Sequence, residues 1–137
     1  MSTKTKILII DDDPGVIFLH KIIIRESGLC KEPASFEEAK EALNYILSES
    51  GSDTRFLLFL DINMPYMNGW EFLEKLSPKV NPDHVKVIMV TSSLSHADRE
   101  KARSYKLVYD FLEKPLVDSQ CKQIHQKLNG WINDYVK

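Results

Sequence analysis

The sequence predicts an α/β fold: a doubly wound parallel sheet covered by helices on both faces. Three observations carry that prediction. Five strand-like segments, four of them apolar runs, alternate with five helix-like stretches along 137 residues, the pattern of strands joined by right-handed helical crossovers. The run Phe56 to Leu60 (FLLFL) is apolar without interruption, as suits a strand buried on both faces. Polar residues stand at the ends of four of these segments, namely Asp11-Asp12, Asp61, Thr91 and, one residue further on, Lys114, and in an open parallel sheet the carboxyl edge is where ligands bind.

Taken in order, Lys6–Ile10 (KILII) reads as the first strand and runs into Asp11-Asp12-Asp13. Asp13 is a natural N-cap, and Pro14 has the fixed φ favoured at the first position of a helix. That helix is expected to end at Gly28, with Val16, Leu19, Ile22 and Ile23 on its apolar face. The segment 30–35 (CKEPAS) is a weak strand, which Pro33 confines to a sheet edge. A second helix is predicted from Phe36 to about Ser48, burying Phe36, Ala39, Leu43, Ile46 and Leu47, and Gly51, Ser52 and Asp53 form the loop into the central strand. After Gly69 a third helix runs through WEFLEKL and stops before Pro78, because the residue before a proline is pushed out of helical geometry. Val85–Val90 is the fourth strand. Ser95 caps a short polar helix, with Asp98 three residues on and little but Ala97 and Ala102 to bury. Leu107–Leu112 is the fifth strand. The final helix, from about Asp118 to Tyr135, carries Cys121, Ile124, Leu128, Ile132 and Tyr135 on one stripe.

Composition excludes several classes. The chain is 43% hydrophobic and 28% charged, the balance of a soluble globule. Its net charge of -2 and lack of any Lys/Arg cluster argue against a nucleic-acid partner. No run approaches the ~20 apolar residues of a membrane span, and nothing near the N-terminus resembles a signal peptide. Cys30 and Cys121 have no metal-ligand spacing and read as free thiols of a reducing compartment. A cytoplasmic protein is expected, with residues 1–137 forming one domain, core about 6–135, and no second domain. His20, His84, His96 and His125 do not pair at metal spacing and are expected at ordinary surface or helix positions. Trp131 is open between core and docking surface.

Parallel strands would gather the polar residues on one edge. Three carboxylates there repel one another, and desolvation raises the cost of keeping all of them charged. A hard divalent cation with oxygen ligands, Mg²⁺ above all and Mn²⁺ as a substitute, relieves that repulsion. Lys114 adds a compact positive charge and Thr91 a hydroxyl donor. A carboxylate beside these groups suits a phosphoryl group, with Asp61 as nucleophile.

The acidic pair Asp11-Asp12, the D-x-x-M-P-x-x-x-G of Asp61, Met64, Pro65 and Gly69, the Thr91-Ser92 pair and the Lys114-Pro115 pair together resemble the receiver domain of bacterial two-component response regulators, the CheY-like, single-domain kind. The resemblance runs from Lys6 to about Tyr135. It implies a flavodoxin-like (βα)5 fold with strand order 2-1-3-4-5. It implies Asp61 as phosphoacceptor, and Mg²⁺ held by Asp12, Asp61 and the backbone carbonyl of Asn63, with Asp11 acting through water. Thr91, Ser92 and Lys114 would contact the phosphoryl oxygens, Phe111 would be the switch aromatic, and Asn63 and Ser93 would tune hydrolysis. A histidine kinase or histidine phosphotransfer protein would donate the phosphoryl group. The face of the fourth helix, fifth strand and fifth helix would then change shape for an unidentified downstream protein. On this resemblance the chain is no enzyme in its own right but assists its own phosphorylation and dephosphorylation. Whether it is a relay intermediate or a direct effector is not written in the residues.

The segment Ser104-Tyr105-Lys106-Leu107-Val108 departs from the family's usual Gly-Ala pair, and Ser92 stands where a small Ala is common. Two rival readings stand as alternatives, with residues counting against each. A haloacid dehalogenase-type phosphatase needs a second acid two residues after its nucleophile, where Asn63 stands. A phosphate-independent scaffold leaves the full set of Asp11, Asp12, Asp61, Thr91 and Lys114 without a reason.

Overall fold

The computed structural model describes residues 4–49, 53–92 and 95–132. The elements are β1 (Lys4–Ile10), α1 (Pro14–Glu26), β2 (Ala34–Phe36), α2 (Ala39–Glu49), β3 (Thr54–Leu60), α3 (Gly69–Leu76), β4 (Val85–Thr91), α4 (His96–Arg103), β5 (Val108–Glu113) and α5 (Asp118–Ile132). All strands pair in parallel in the order β2-β1-β3-β4-β5, so the sheet has the topology that the resemblance implies. The Pro33 segment leads into an edge strand, as predicted. Gly51, Ser52, Ser93 and Tyr135, all named in the sequence reading, lie outside the described residues.

Two apolar layers hold the sheet between helices. Leu8, Ile10, Phe56, Leu58, Leu60, Val87 and Met89 point toward α2 and α3. Ile7, Ile9, Leu57, Phe59, Ile88 and Val90 point to the other side, toward α1 and α5. Successive strand residues alternate faces, so a strand covered on both sides must be apolar at every position. That is why β3 has no polar residue between Phe56 and Leu60. Each of these Leu and Phe side chains, fully buried, contributes about 1.5–3 kcal/mol.

Local signals set the helix ends. The Asp13 carboxylate accepts from the Gly15 and Val16 N–H groups at 2.8 and 3.3 Å, and α1 stops before Gly28, whose φ of 84° lies in the left-handed region. Asn68 and Glu71 form a reciprocal capping box on α3. The Ser95 hydroxyl accepts from Asp98 N–H at 3.0 Å, as expected for α4. The stripe Cys121, Ile124, Leu128 and Ile132 is buried in α5 as predicted.

Three expectations are corrected. In α1 the buried stripe is Ile17, His20 and Ile24, while Val16, Ile22 and Ile23 are half-buried and Leu19 is 42% exposed. Nearly every position of 16–24 is apolar, so periodicity alone admits two phases, and a histidine on the buried stripe hides the true one. Phe36 belongs to β2, opposite Ile10, rather than to α2, whose buried face includes Ala42 instead. Ala97 is exposed, which leaves Ala102 as the buried residue of α4. His20 takes a helix position, as expected, but on the buried face of α1, at 1% exposure.

Trp131 is part of the core rim. Its indole N–H donates to the Asp83 carbonyl at 2.7 Å, and the Arg55 and Lys86 cations lie 5.6 and 5.3 Å from its ring centre. A register shift between β4 and β5 leaves Tyr109 without an opposite residue, setting Phe111 opposite Met89 and Glu113 opposite Thr91.

Candidate functional site at the carboxyl edge of the sheet

Backbone pairing continues past the strand ends and holds the backbone of Asp11, Asp61 and Lys114. The Asp11 N–H donates to Phe36 O at 3.1 Å, Asp61 N–H to Ile10 O at 2.9 Å, and Lys114 N–H to Thr91 O at 2.8 Å. These three residues are thus held by the same backbone pairing as the strands themselves. Gly69 closes the loop from the other side. A Cβ there would fall 2.7 Å from the Asp61 carbonyl oxygen, so only glycine admits this approach.

Asp11, Asp12 and Asp61 each offer a carboxylate oxygen, all within 4.8 Å of one another. Lys114 Nζ lies 2.7 Å from Asp11 Oδ2 and 3.4 Å from Asp61 Oδ1. Asp11 and Asp61 are buried, at 3% and 4% exposure, whereas Asp12 faces solvent. Asp11 Oδ1 also accepts the Asp13 N–H at 3.0 Å, so both Asp11 oxygens are engaged by the protein. The Asn63 N–H reaches Asp61 Oδ1 at 3.4 Å. Thr91 is buried at the end of β4, and Ser92 is exposed beside it. The structure brings Asp11, Asp12, Asp61 and Lys114 together, with the Asn63 N–H beside Asp61 and Thr91 and Ser92 at the end of the neighbouring strand. Phe111 stands apart, half-buried on β5 against the α2/α3 layer.

Burial, followed by the charge of Asp11, pushes the Asp61 carboxyl up to about 6, while Lys114 and the Asn63 N–H pull the other way. For Lys114, burial favours the neutral amine, but the contacts with Asp11 and then Asp61 outweigh it and raise its pKa. The ammonium is therefore a fixed charge. One cation among three carboxylates leaves net negative charge in a poorly hydrated place, and a hard divalent ion with oxygen ligands fits that donor set.

His20 is the residue that the motif reading missed. It is buried between α1 and the segment after β5, and its Nε2 accepts the Leu116 N–H at 3.2 Å. Burial lowers its pKa, and the charges of Asp11 and Lys114 act on it in opposite senses. The only trace in the sequence is a polar residue inside the apolar stretch VIFLHKIII.

Fold and site together define a doubly wound α/β domain with an aspartate-centred acidic pocket at its switch-point edge. The profile of the response regulator receiver domain matches residues 7–128. Response regulator Rre1 of Synechocystis is 28% identical over 129 residues, covering 93% of this chain and 53% of that protein. A protein-glutamate methylesterase/protein-glutamine glutaminase of Burkholderia thailandensis is 34% identical over 124 residues, covering 85% of this chain and 31% of that protein. The chain thus spans about half of the one and a third of the other. A two component response regulator from Cytophaga hutchinsonii superposes with a TM-score of 0.82 at 29% identity, covering 93% of this chain and 98% of that one. The chain belongs to the response regulator receiver family, a signalling domain of two-component systems. Among the described residues no helix is long and apolar enough to cross a membrane.

Proposed function

We propose that this receiver accepts a phosphoryl group on Asp61 in a Mg²⁺-dependent reaction and signals by changing a partner-binding face. The observation that supports it most is the Asp61 carboxylate, buried at the sheet edge with Lys114 Nζ 3.4 Å away and two further carboxylates alongside. In the transfer, an electron pair of an Asp61 oxygen forms the new P–O bond. The P–N bond of a phosphohistidine on a kinase or phosphotransfer protein breaks, and its pair goes to the imidazole nitrogen, which takes up a proton. With acetyl phosphate the broken bond is P–O and acetate leaves.

The cation site would consist of Asp12, Asp61 and the Asn63 carbonyl, with Asp11 reaching it through water because its own oxygens are engaged. Bound Mg²⁺ supplies neutralisation of the charge on the transferring group. Lys114, the Thr91 hydroxyl and the Ser92 N–H would hold the phosphoryl oxygens, and the exposed Asn63 side chain, with Ser93, would set the access of hydrolytic water. The receiver thereby assists its own phosphorylation and dephosphorylation. Added negative charge draws Thr91 and Lys114 inward, and Phe111 follows. Phe111 lines a cleft of about 190 Å³ between α4 and β5 together with Arg99, Ala102, Arg103 and Val108, so its movement alters that face for a downstream protein in the cytoplasm.

The test is incubation with Mg²⁺ and acetyl phosphate, followed by intact-mass measurement. Wild type should gain one hydroxylamine-labile phosphoryl group, and Asp61→Asn should gain none. Equal labelling of the variant would place the acceptor elsewhere. No labelling of wild type by acetyl phosphate or by a phosphohistidine donor would favour a receiver-shaped scaffold that works without phosphate.

A further inference from the structure

Lys114 has to be held so that its ammonium faces both Asp11 and Asp61, and its backbone is anchored on two sides. Upstream, its own N–H donates to Thr91 O at 2.8 Å. Downstream, Pro115 has no N–H to give, so the first available donor is Leu116. That N–H is buried and donates to His20 Nε2 on α1 at 3.2 Å. The Leu116 side chain is itself 1% exposed, in the layer between the sheet and α1/α5.

Packing alone does not call for an imidazole here. Ile17 and Ile24, on the same buried stripe of α1, are aliphatic, and an aliphatic residue at position 20 would fill the stripe equally well. It would leave the Leu116 N–H buried without an acceptor, which is costly. The hydrogen bond is therefore the feature that explains the histidine. The imidazole is buried, and in its neutral form an accepting Nε2 leaves the proton on Nδ1.

We propose that His20 is a positioning residue for phosphoryl transfer: through the Leu116 N–H it fixes the backbone after β5 and thereby the reach of Lys114 Nζ into the acidic pocket. This rests on reading Asp61 as the phosphoacceptor. The lever is short, two residues from the anchored N–H to the lysine, and a misplacement of about 1 Å at a reacting centre can lower a rate by roughly 100-fold.

Two variants test it. His20→Leu removes the acceptor at similar volume, and His20→Gln puts an amide oxygen near the position of Nε2. Three readouts are compared with wild type: the rate of Asp61 labelling by acetyl phosphate at saturating Mg²⁺, Mg²⁺ affinity by calorimetry, and hydrogen exchange of the Leu116 amide. His20→Leu should slow labelling about tenfold or more, leave Mg²⁺ affinity within about twofold, and expose the Leu116 amide to exchange. His20→Gln should restore both rate and protection. If Leu116 exchanges faster in His20→Leu while labelling keeps the wild-type rate, the proposal is wrong. The same holds if Gln and Leu slow labelling equally, which would mark a packing role. If wild type takes no label, the phosphoacceptor reading fails by itself. The positioning claim is then decided by the Lys114 ammonium signal in ¹⁵N NMR, which must be lost in His20→Leu and kept in His20→Gln. Should His20→Leu fail to fold, His20→Gln against His20→Asn, whose shorter side chain cannot reach Leu116, carries the same comparison.

Discussion

Because burial and the neighbouring Asp11 raise the Asp61 carboxyl from 3.8 to about 6, the folded protein holds that proton more tightly than the unfolded chain does. The native state therefore binds more protons between roughly pH 4 and pH 6. The contribution of Asp61 to stability is full below that window, is lost as pH rises through it, and stays lost at neutral pH. Summed over the window, the metal-free protein gives up on the order of 2–3 kcal/mol at this one residue. Asp61→Asn should accordingly be more stable than wild type at pH 7 without metal, and the gap should shrink toward zero near pH 4. Urea unfolding at both pH values checks this, and a gap that grows on acidification would mean that Asp61 is held charged by Lys114 instead. This residue was legible in the sequence because an aspartate directly after an unbroken apolar run can stand only at a strand end. His20 was not, since its role depends on a backbone N–H of Leu116, which the chain places beside it only through the packing of α1 against the segment after β5.

At the scale of elements, α4 is the weakly held one. Its buried residue is Ala102, so burial contributes little, and the sequence foretold that from its polar composition. What ties it down comes from the segment where the family pattern is broken. Tyr105 stacks on Trp70 of α3, with ring centres 5.9 Å apart and planes 20° from parallel. The Lys101 ammonium sits 4.9 Å from the Trp70 ring centre, and the Tyr105 hydroxyl donates to Glu74. An aromatic pair of this kind is worth about 0.5–1.5 kcal/mol beyond its buried area. Tyr105→Ala should lower global stability by about 1–2 kcal/mol, shift Trp70 emission to the red, and speed amide exchange in α4 while β1 and β3 keep their protection. Uniform loss of protection across the sheet would mean that Tyr105 belongs to the core and not to a link between two helices. The break at Ser104–Val108 was visible in the sequence, but its partner was not, because no local pattern pairs Tyr105 with a tryptophan on the preceding helix.

For the molecule as a whole, the carboxyl edge is a place where folding works against charge repulsion, and a cation that binds there only in the folded state must stabilise the entire domain. The size follows from mass action: at ten times its dissociation constant a ligand adds about 1.4 kcal/mol, and each further tenfold adds about the same. The melting temperature should therefore climb with the logarithm of Mg²⁺ concentration once the site begins to fill. Asp12→Ala is the informative control. Asp12 is exposed and lies outside both apolar layers, so the variant should fold like wild type without metal and lose most of the Mg²⁺ response. Asp61→Asn should start from higher stability, for the titration reason above, and also respond less, so that wild type and variant converge as Mg²⁺ rises. Sodium chloride at matched ionic strength separates a bound ion from general screening, which mutes interactions between exposed charges more than about 8–10 Å apart and acts much less on buried ones. An equal rise in sodium chloride, or an Asp12→Ala protein that responds like wild type, would show that the three carboxylates hold no specific ion. If the response is specific, the same charges that weaken the metal-free fold are the ones that make its stability depend on the ion proposed to assist phosphoryl transfer.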